Sequence, residues 1–148
     1  MSSRPCASHA PVIDPVRVVV DASVIVQVLS SGSLGPLEPH ELIAPPLLAS
    51  EVTSTFCEMA FRGEVPVAAA ELAVERLAGL PIAFERPAEL AIRAWRLARS
   101  LGWARSYDAE YVALAQLCSC PLITIDERLR RRVGDLVAVP LPTELGPG

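Results

Sequence analysis

Lysine and asparagine are both absent from this chain of 148 residues, whose 13 basic residues are all arginine. The missing lysine removes several α/β activities at once. A P-loop enzyme needs that side chain to hold phosphates. A haloacid-dehalogenase phosphatase and a response-regulator receiver need one as well. The phosphatase also needs a second aspartate two residues after its first, where this chain has Ser23. A G-x-G-x-x-G dinucleotide fingerprint is missing too. The segment Ser30-Ser31-Gly32-Ser33 lacks that spacing and reads as a helix stop. Histidine is limited to His9 and His40, with no ligand spacing. Of the 4 cysteines, Cys118 and Cys120 are too close for a zinc knuckle and have no second pair, and Cys6 and Cys57 stand alone. Reduced thiols in the cytoplasm are the expectation. No apolar run approaches the ~20 residues that span a bilayer, so no membrane partner is expected. Residues 1–15 carry several prolines and serines and lack the apolar core of a secretory signal. Excess positive charge is lacking as well: the net charge is −4 and the pI about 5.2. This argues against a general basic surface for nucleic acid. A nucleic-acid substrate stays open, because a metal cluster can carry the positive charge locally.

What the chain does contain is enough for one globular core, with 51% hydrophobic and 20% charged residues. Arg17 to Val20 is a β-branched run and reads as a buried strand. A helix follows through Leu29, with Gly32 beyond its end. Glu41 to Ala44 is a short strand. Pro45-Pro46 opens a helix to about Arg62, with Leu48, Val52, Thr55, Phe56 and Met59 on its apolar stripe. Helices from Pro66 to about Ala78 and from Pro87 to Leu101 flank a strand at Pro81 to Phe84. A fifth helix runs from Ser106 to Leu117. Pro121 to Ile125 is a strand, Asp126 to Arg132 a short helix, and Leu136 to Val139 a final strand. Strands alternating with helices imply an α/β sandwich with a mostly parallel central sheet. Residues 1–15 are expected to form a loose extension, 16–140 the domain and 141–148 a tail.

Four carboxylates occupy unusual places. Asp21 ends the run Val18-Val19-Val20, and Asp126 ends Leu122-Ile123-Thr124-Ile125. Asp108 opens a helix, and Glu51 interrupts an apolar helical stripe. Each aspartate could simply cap a helix, and for Asp108 the hydroxyl of Ser106 competes as cap. Glu51 could pair with Arg93, Arg96 or Arg105. Taken together, the three aspartates begin helices along the rim where parallel strands end, the usual ligand site of open α/β sheets. Carboxylates gathered there are costly to keep charged without a cation. An oxygen-only donor set suits Mg²⁺ or Mn²⁺ better than zinc. Ser23 and Thr124 flank the cluster and can orient a carboxylate or a bound water.

The blocks VVVDASVIVQVL (18–29), PPLLASEVTSTF (45–56), SYDAEYVALAQ (106–116) and PLITIDERL (121–129) resemble the four acidic blocks of the PIN-domain nucleases. They are most similar to the VapC-type ribonuclease toxins of toxin–antitoxin pairs. The resemblance covers about Arg17 to Val139. It implies a PIN-like three-layer α/β/α sandwich and a metal-dependent endoribonuclease. It matches Asp21, Glu51, Asp108 and Asp126 to the family's metal-binding acids, and Ser23 and Thr124 to its accompanying hydroxyls. One departure is Ser54, where the family often has asparagine. The resemblance further implies cleavage that leaves a 5′-phosphate and a 3′-hydroxyl, a homodimer, and a small antitoxin that plugs the acidic pocket with a basic side chain. Arg105 and Arg128, beside the acidic blocks, are the expected RNA contacts. An apolar groove for the antitoxin is expected between the first two helices, near Ile25, Leu29, Phe56 and Met59. The alternative is a catalytically inactive PIN-like module that binds a protein or RNA partner.

Overall fold

The computed structural model describes residues 14–145. The expected extension over 1–15 falls almost wholly outside them, as do Cys6 and His9. Four strands form a wholly parallel sheet in the order β3-β2-β1-β4. They are β1 (Arg17–Val20), β2 (Glu41–Ala44), β3 (Ile82–Phe84) and β4 (Leu122–Ile123). Among the described residues the α-helices are α1 (Ala22–Ser31), α2 (Leu47–Phe61), α3 (Val67–Leu77), α4 (Leu90–Ser100), α5 (Tyr107–Cys118) and α6 (Glu127–Val133). The result is a three-layer α/β/α sandwich, as the alternation of strands and helices requires.

Val18, Val19 and Val20 are all fully buried, as are Leu42 of β2 and Leu122 and Ile123 of β4. A parallel strand covered on both faces needs such an unbroken apolar run. In register, Val18 stands beside Leu42 on one side, and Val19 beside Leu122 on the other. Helix α5 is buried continuously from Tyr111 to Ala115. Its alanines allow it to lie close to β1, β4 and α4. Helices α1, α2 and α3 pack against one another.

The sheet order puts a topological switch point between β1 and β4. From β1 the chain moves out on one side to β2 and β3, and returns to the other side at β4. Side chains just past the ends of β1 and β4 therefore face a crevice that no crossover covers.

Three expectations are corrected. Residues 136–139 do not form a strand. Only Ala138 joins the sheet, its carbonyl accepting from the Leu122 N–H at 2.9 Å. Its neighbour β4 is just two residues long, and Pro140 has no N–H for a ladder. The strand expected through Ile125 stops at Ile123, because the Thr124 side chain turns to Asp21 and Ile125 is exposed. The apolar groove expected between α1 and α2 is largely filled by α3. Ile25, Leu29 and Phe56 are buried, since α3 packs across both helices. What stays open there is a cavity of about 250 Å³ lined by Leu29, Phe56, Val65, Ala69, Leu72 and Arg76.

Candidate active site at the switch point

Asp21 is the best-defined group of the crevice. It is only 5% exposed and stands at the first position after β1. Its backbone N–H still reaches the Ile123 carbonyl at 3.2 Å, which prolongs the β1–β4 pairing by one step. Its Oδ1 accepts the Val24 N–H at 3.1 Å and the Ser23 hydroxyl at 2.6 Å. Its Oδ2 accepts the hydroxyl of Thr124, which is fully buried. Asp21 is thus the cap of α1 and, through Thr124, a clamp between β1 and β4.

The two hydroxyls also order the far strand end. Thr124 Oγ1 accepts from the Asp126 N–H at 3.0 Å, and Ser23 Oγ accepts from the Ile125 N–H at 3.3 Å. Each hydroxyl has a single proton and gives it to Asp21, so Asp21 is the acceptor on which both converge. Arg130 braces the same turn by donating to the Thr124 carbonyl at 2.8 Å. Asp126 caps α6, its Oδ1 accepting from the N–H groups of Arg128 at 2.8 Å and Leu129 at 3.2 Å.

Glu51 lies half-buried in the interior of α2. None of Arg93, Arg96 and Arg105 pairs with it; among the described residues Glu51, Asp21, Asp108 and Asp126 form no ion pair. The partner of Glu51 is Tyr111, whose hydroxyl donates to Oε2 from a ring that is 1% exposed. The ion-pair reading of Glu51 is therefore set aside. Asp108 lies in the first turn of α5, where the helix dipole favours a negative charge. Ser106, its competitor as cap, makes no side-chain capping bond. Ser54 is exposed on α2.

The electrostatics tie these groups together. Burial holds the Asp21 carboxyl above its usual range, against the pull of three hydrogen bonds, and the charge of Asp108 adds to the rise. Glu51 is raised by burial and then by Asp108, Asp21 and Glu110, with the Tyr111 bond opposing. Asp108 is raised by desolvation and by Asp126, with Arg132 opposing. Tyr111 is pushed strongly upward by burial and by Glu51, so it stays a hydrogen-bond donor. These side chains share one electrostatic neighbourhood, and their mutual repulsion is only partly offset by Arg132.

Among the described residues no three His, Cys, Asp or Glu side chains form a compact coordination group. The donor set nevertheless fits a hard divalent cation. All donors are oxygens, Asp108 is coupled by repulsion to each of the other three, and none is neutralised by an ion pair. His40 takes no part: its Nδ1 accepts the Val16 N–H at 3.1 Å, at the opposite end of β1.

Sequence reasoning missed several residues of this region. Tyr111 shares a helix face with Asp108, but its bond to Glu51 spans 60 positions. Glu110, just before Tyr111 on α5, adds negative charge. Arg132 and Trp103 line a cleft beside Glu51 and Asp108, and Arg105 lines it too. Arg128 does not, although Arg132 is one helical turn further along the same face.

The family model for the PIN domain matches residues 18–134. The chain belongs to the PIN-domain family and stands with its VapC-type members. It is 34% identical over 128 residues to Ribonuclease VapC3 of Mycobacterium tuberculosis, covering 82% of this chain and 91% of that protein. To Ribonuclease VapC9 of the same organism it is 33% identical over 114 residues, covering 76% of this chain and 87% of the relative. Two solved structures share the fold. PAE2754 from Pyrobaculum aerophilum superimposes with a TM-score of 0.66 at 22% identity, covering 88% of this chain and 94% of that one. VapBC-1 from nontypeable Haemophilus influenzae gives a TM-score of 0.59 at 14% identity, covering 86% and 98%. In this PIN domain the switch-point crevice, with its unpaired carboxylates, is the candidate active site.

Proposed function

We propose that the protein is a metal-dependent endoribonuclease and the toxin of a toxin–antitoxin pair. The observation that carries this reading is the electrostatic coupling of four carboxylates, none in an ion pair, around the switch point of a PIN fold. The ribonuclease names of relatives that align over most of the chain support it. Asp21, Glu51, Asp108 and Asp126 would hold Mg²⁺ or Mn²⁺. Such an ion supplies a bound water of lowered pKa and a counter-charge for the scissile phosphate.

The chain's own residues do the rest. Ser23 and Thr124 fix both oxygens of Asp21, so it is oriented before substrate arrives. Tyr111 does the same for Glu51. Preorganised polar groups of this kind avoid reorganisation during the reaction. Arg105 and Arg132 at the cleft offer guanidinium groups to flanking phosphates. Hydrolysis by water needs neither a 2′-hydroxyl nucleophile nor a histidine; with water forming the new P–O bond and the P–O3′ bond breaking, it would leave a 5′-phosphate and a 3′-hydroxyl. Cys57, Cys118 and Cys120 are free thiols, and no helix of the described residues is long and apolar enough to cross a membrane. A cytoplasmic homodimer completes the proposal.

The test is metal removal. RNA cleavage by the purified protein is expected to stop in EDTA and to return when Mg²⁺ or Mn²⁺ is restored in excess. Undiminished cleavage after verified metal removal rejects the mechanism.

The same charge distribution sets an expectation for the antitoxin. A guanidinium inserted among these carboxylates is attracted and bonded in fork geometry. It also takes the place of the cation, so docking and inhibition become one event. An adjacent reading frame should encode a short protein with such a basic residue. Replacing that residue with alanine is expected to restore cleavage more than it weakens binding, measured side by side. A complex that stays fully inhibited means that bulk, not charge, blocks the pocket.

A further inference from the structure

Arg130 lies on α6, four positions after Asp126, and its guanidinium reaches back to donate to the Thr124 carbonyl at 2.8 Å. It is half-buried. Among the described residues it forms no ion pair, and its Nε is enclosed without a hydrogen-bond partner. A guanidinium with an orphaned donor is a poor choice for packing alone, since the unpaired group is costly to enclose. We propose that Arg130 is a positioning residue for the cation site: by pinning the peptide plane between Thr124 and Ile125, it sets where Asp126 stands relative to Asp21. The inference rests on the metal-dependent reading above and deepens it.

The segment that Arg130 pins has little else to hold it. Strand β4 ends at Ile123, and both Ile125 and Asp126 are exposed, so burial contributes little to the shape of this turn. The peptide plane after Thr124 is gripped at opposite ends. Its carbonyl accepts from Arg130, and its N–H, that of Ile125, donates to Ser23 Oγ at 3.3 Å. The bond to Ser23 is long and neutral. The bond from Arg130 is short and charge-assisted, a class roughly twice as strong. Arg130 is therefore the stronger of the two restraints. With this plane fixed, the Asp126 N–H meets Thr124 Oγ1 at 3.0 Å, and the same hydroxyl donates to Asp21. Turning the plane breaks this link between the two acids. Both capping bonds of Asp126 go to Oδ1, so Oδ2 is the oxygen left for a cation. Helix α6 itself is held by the buried Leu129 and Val133, and by Arg132, whose guanidinium lies 4.7 Å from the centroid of the Trp103 ring. Those contacts fix the helix, and Arg130 ties the turn to it.

Charge and geometry make opposite predictions for the loss of Arg130. A guanidinium near the carboxylates disfavours a second cation, so loss of its charge alone would tighten metal binding. Loss of the turn geometry would weaken it, and groups that orient metal ligands commonly change affinity by about 10- to 100-fold. Arg130→Gln separates the two, because its amide nitrogen stops at the position of Nε, short of the carbonyl. Arg130→Lys keeps the charge and a donor of longer reach.

Mn²⁺ affinity of the full chain, without RNA, is read by isothermal titration calorimetry. Arg130→Gln is expected to weaken Mn²⁺ binding about tenfold or more, and Arg130→Lys to recover most of the loss. Arg131→Met, which removes an exposed charge from the same helix without touching the turn, should leave the affinity nearly unchanged. In RNA cleavage, Arg130→Gln should lower kcat at limiting Mn²⁺ and regain much of it at saturating Mn²⁺, with KM for RNA little changed. Should Arg130→Gln not fold, Arg130→Met is read in its place, and failure of both to fold overturns the inference. Unchanged or tighter Mn²⁺ binding in the folded variant overturns it too. So does a raised KM with unchanged Mn²⁺ affinity, which makes Arg130 an RNA contact. Mn²⁺ binding that depends on Arg130, without RNA cleavage by the unaltered protein, leaves the inference and removes the nuclease. Absence of Mn²⁺ binding by the unaltered protein removes both.

Discussion

Asp108→Asn is expected to slow RNA cleavage by about a thousandfold or more while raising the melting temperature of the metal-free protein. The two effects have one cause. Asp108 is a cation-binding candidate, and loss of a group that acts on a bound metal commonly costs several kcal/mol of barrier. It is also a source of repulsion, since its charge raises the proton affinity of both Asp21 and Glu51. Without a cation, ionising these groups opposes folding. Their folded pKa values lie above the ordinary carboxylate range, so the folded state binds more protons than the unfolded chain. Stability then falls as pH rises from the ordinary carboxylate range through the raised values. The metal-free protein should therefore melt higher at weakly acidic pH than at neutral pH, and Asp108→Asn should flatten that slope. Mg²⁺ should raise the melting temperature of the parent more than that of the variant. Melting curves across pH, with and without Mg²⁺, check this, and Asp135→Asn on an exposed site is the control. A variant that keeps full activity, or melts lower with the pH slope unchanged, refutes the role given to Asp108.

Thr124→Val is expected to lower the melting temperature by about 5 °C and kcat by about tenfold, with KM nearly unchanged. The side chain is fully buried, so valine keeps the shape and deletes only the hydroxyl. That hydroxyl donates to Asp21 Oδ2 and accepts from the Asp126 N–H. A hydrogen bond to a charged group contributes about 1.5–3 kcal/mol. In a domain of this size each kcal/mol moves the melting temperature by about 2–4 °C. The bond favours the ionised form of Asp21, so its loss should hurt most at neutral pH and less as pH falls and Asp21 takes up a proton. Thr124→Ser should recover most of both losses. An unchanged melting temperature in Thr124→Val would mean that Asp21 is held by Ser23 and Val24 alone.

Much of the site was legible along the chain because β-strands buried on both faces are written as short apolar runs. An acid that ends such a run stands out, and this exposed Asp21 and Asp126. Ser23 and Thr124 were legible by their nearness to those acids. Glu51 stood out by interrupting an apolar stripe. The cap-or-site ambiguity at Asp21 could not be resolved along the chain. In the structure one oxygen caps α1 while the other accepts the Thr124 hydroxyl beyond β4. The failed readings have a common character. Residues 136–139 look like a strand, but a strand needs a neighbour long enough to pair with. Ile25, Leu29 and Phe56 form an apolar face, but whether it is a groove depended on where α3 came to rest.

The sequence by itself determined the family, the alternating order of strands and helices, and the acids at the strand ends, because local periodicity and burial in a parallel sheet leave marks on consecutive residues. Tertiary structure alone decided that Tyr111 holds Glu51 and that Arg132 lies over Trp103. It also decided that β1 and β4 are neighbours with the crevice between their ends. These are contacts between residues far apart in the chain. They are set by how helices pack across the sheet, and no local pattern of side chains encodes which distant partner packing will supply.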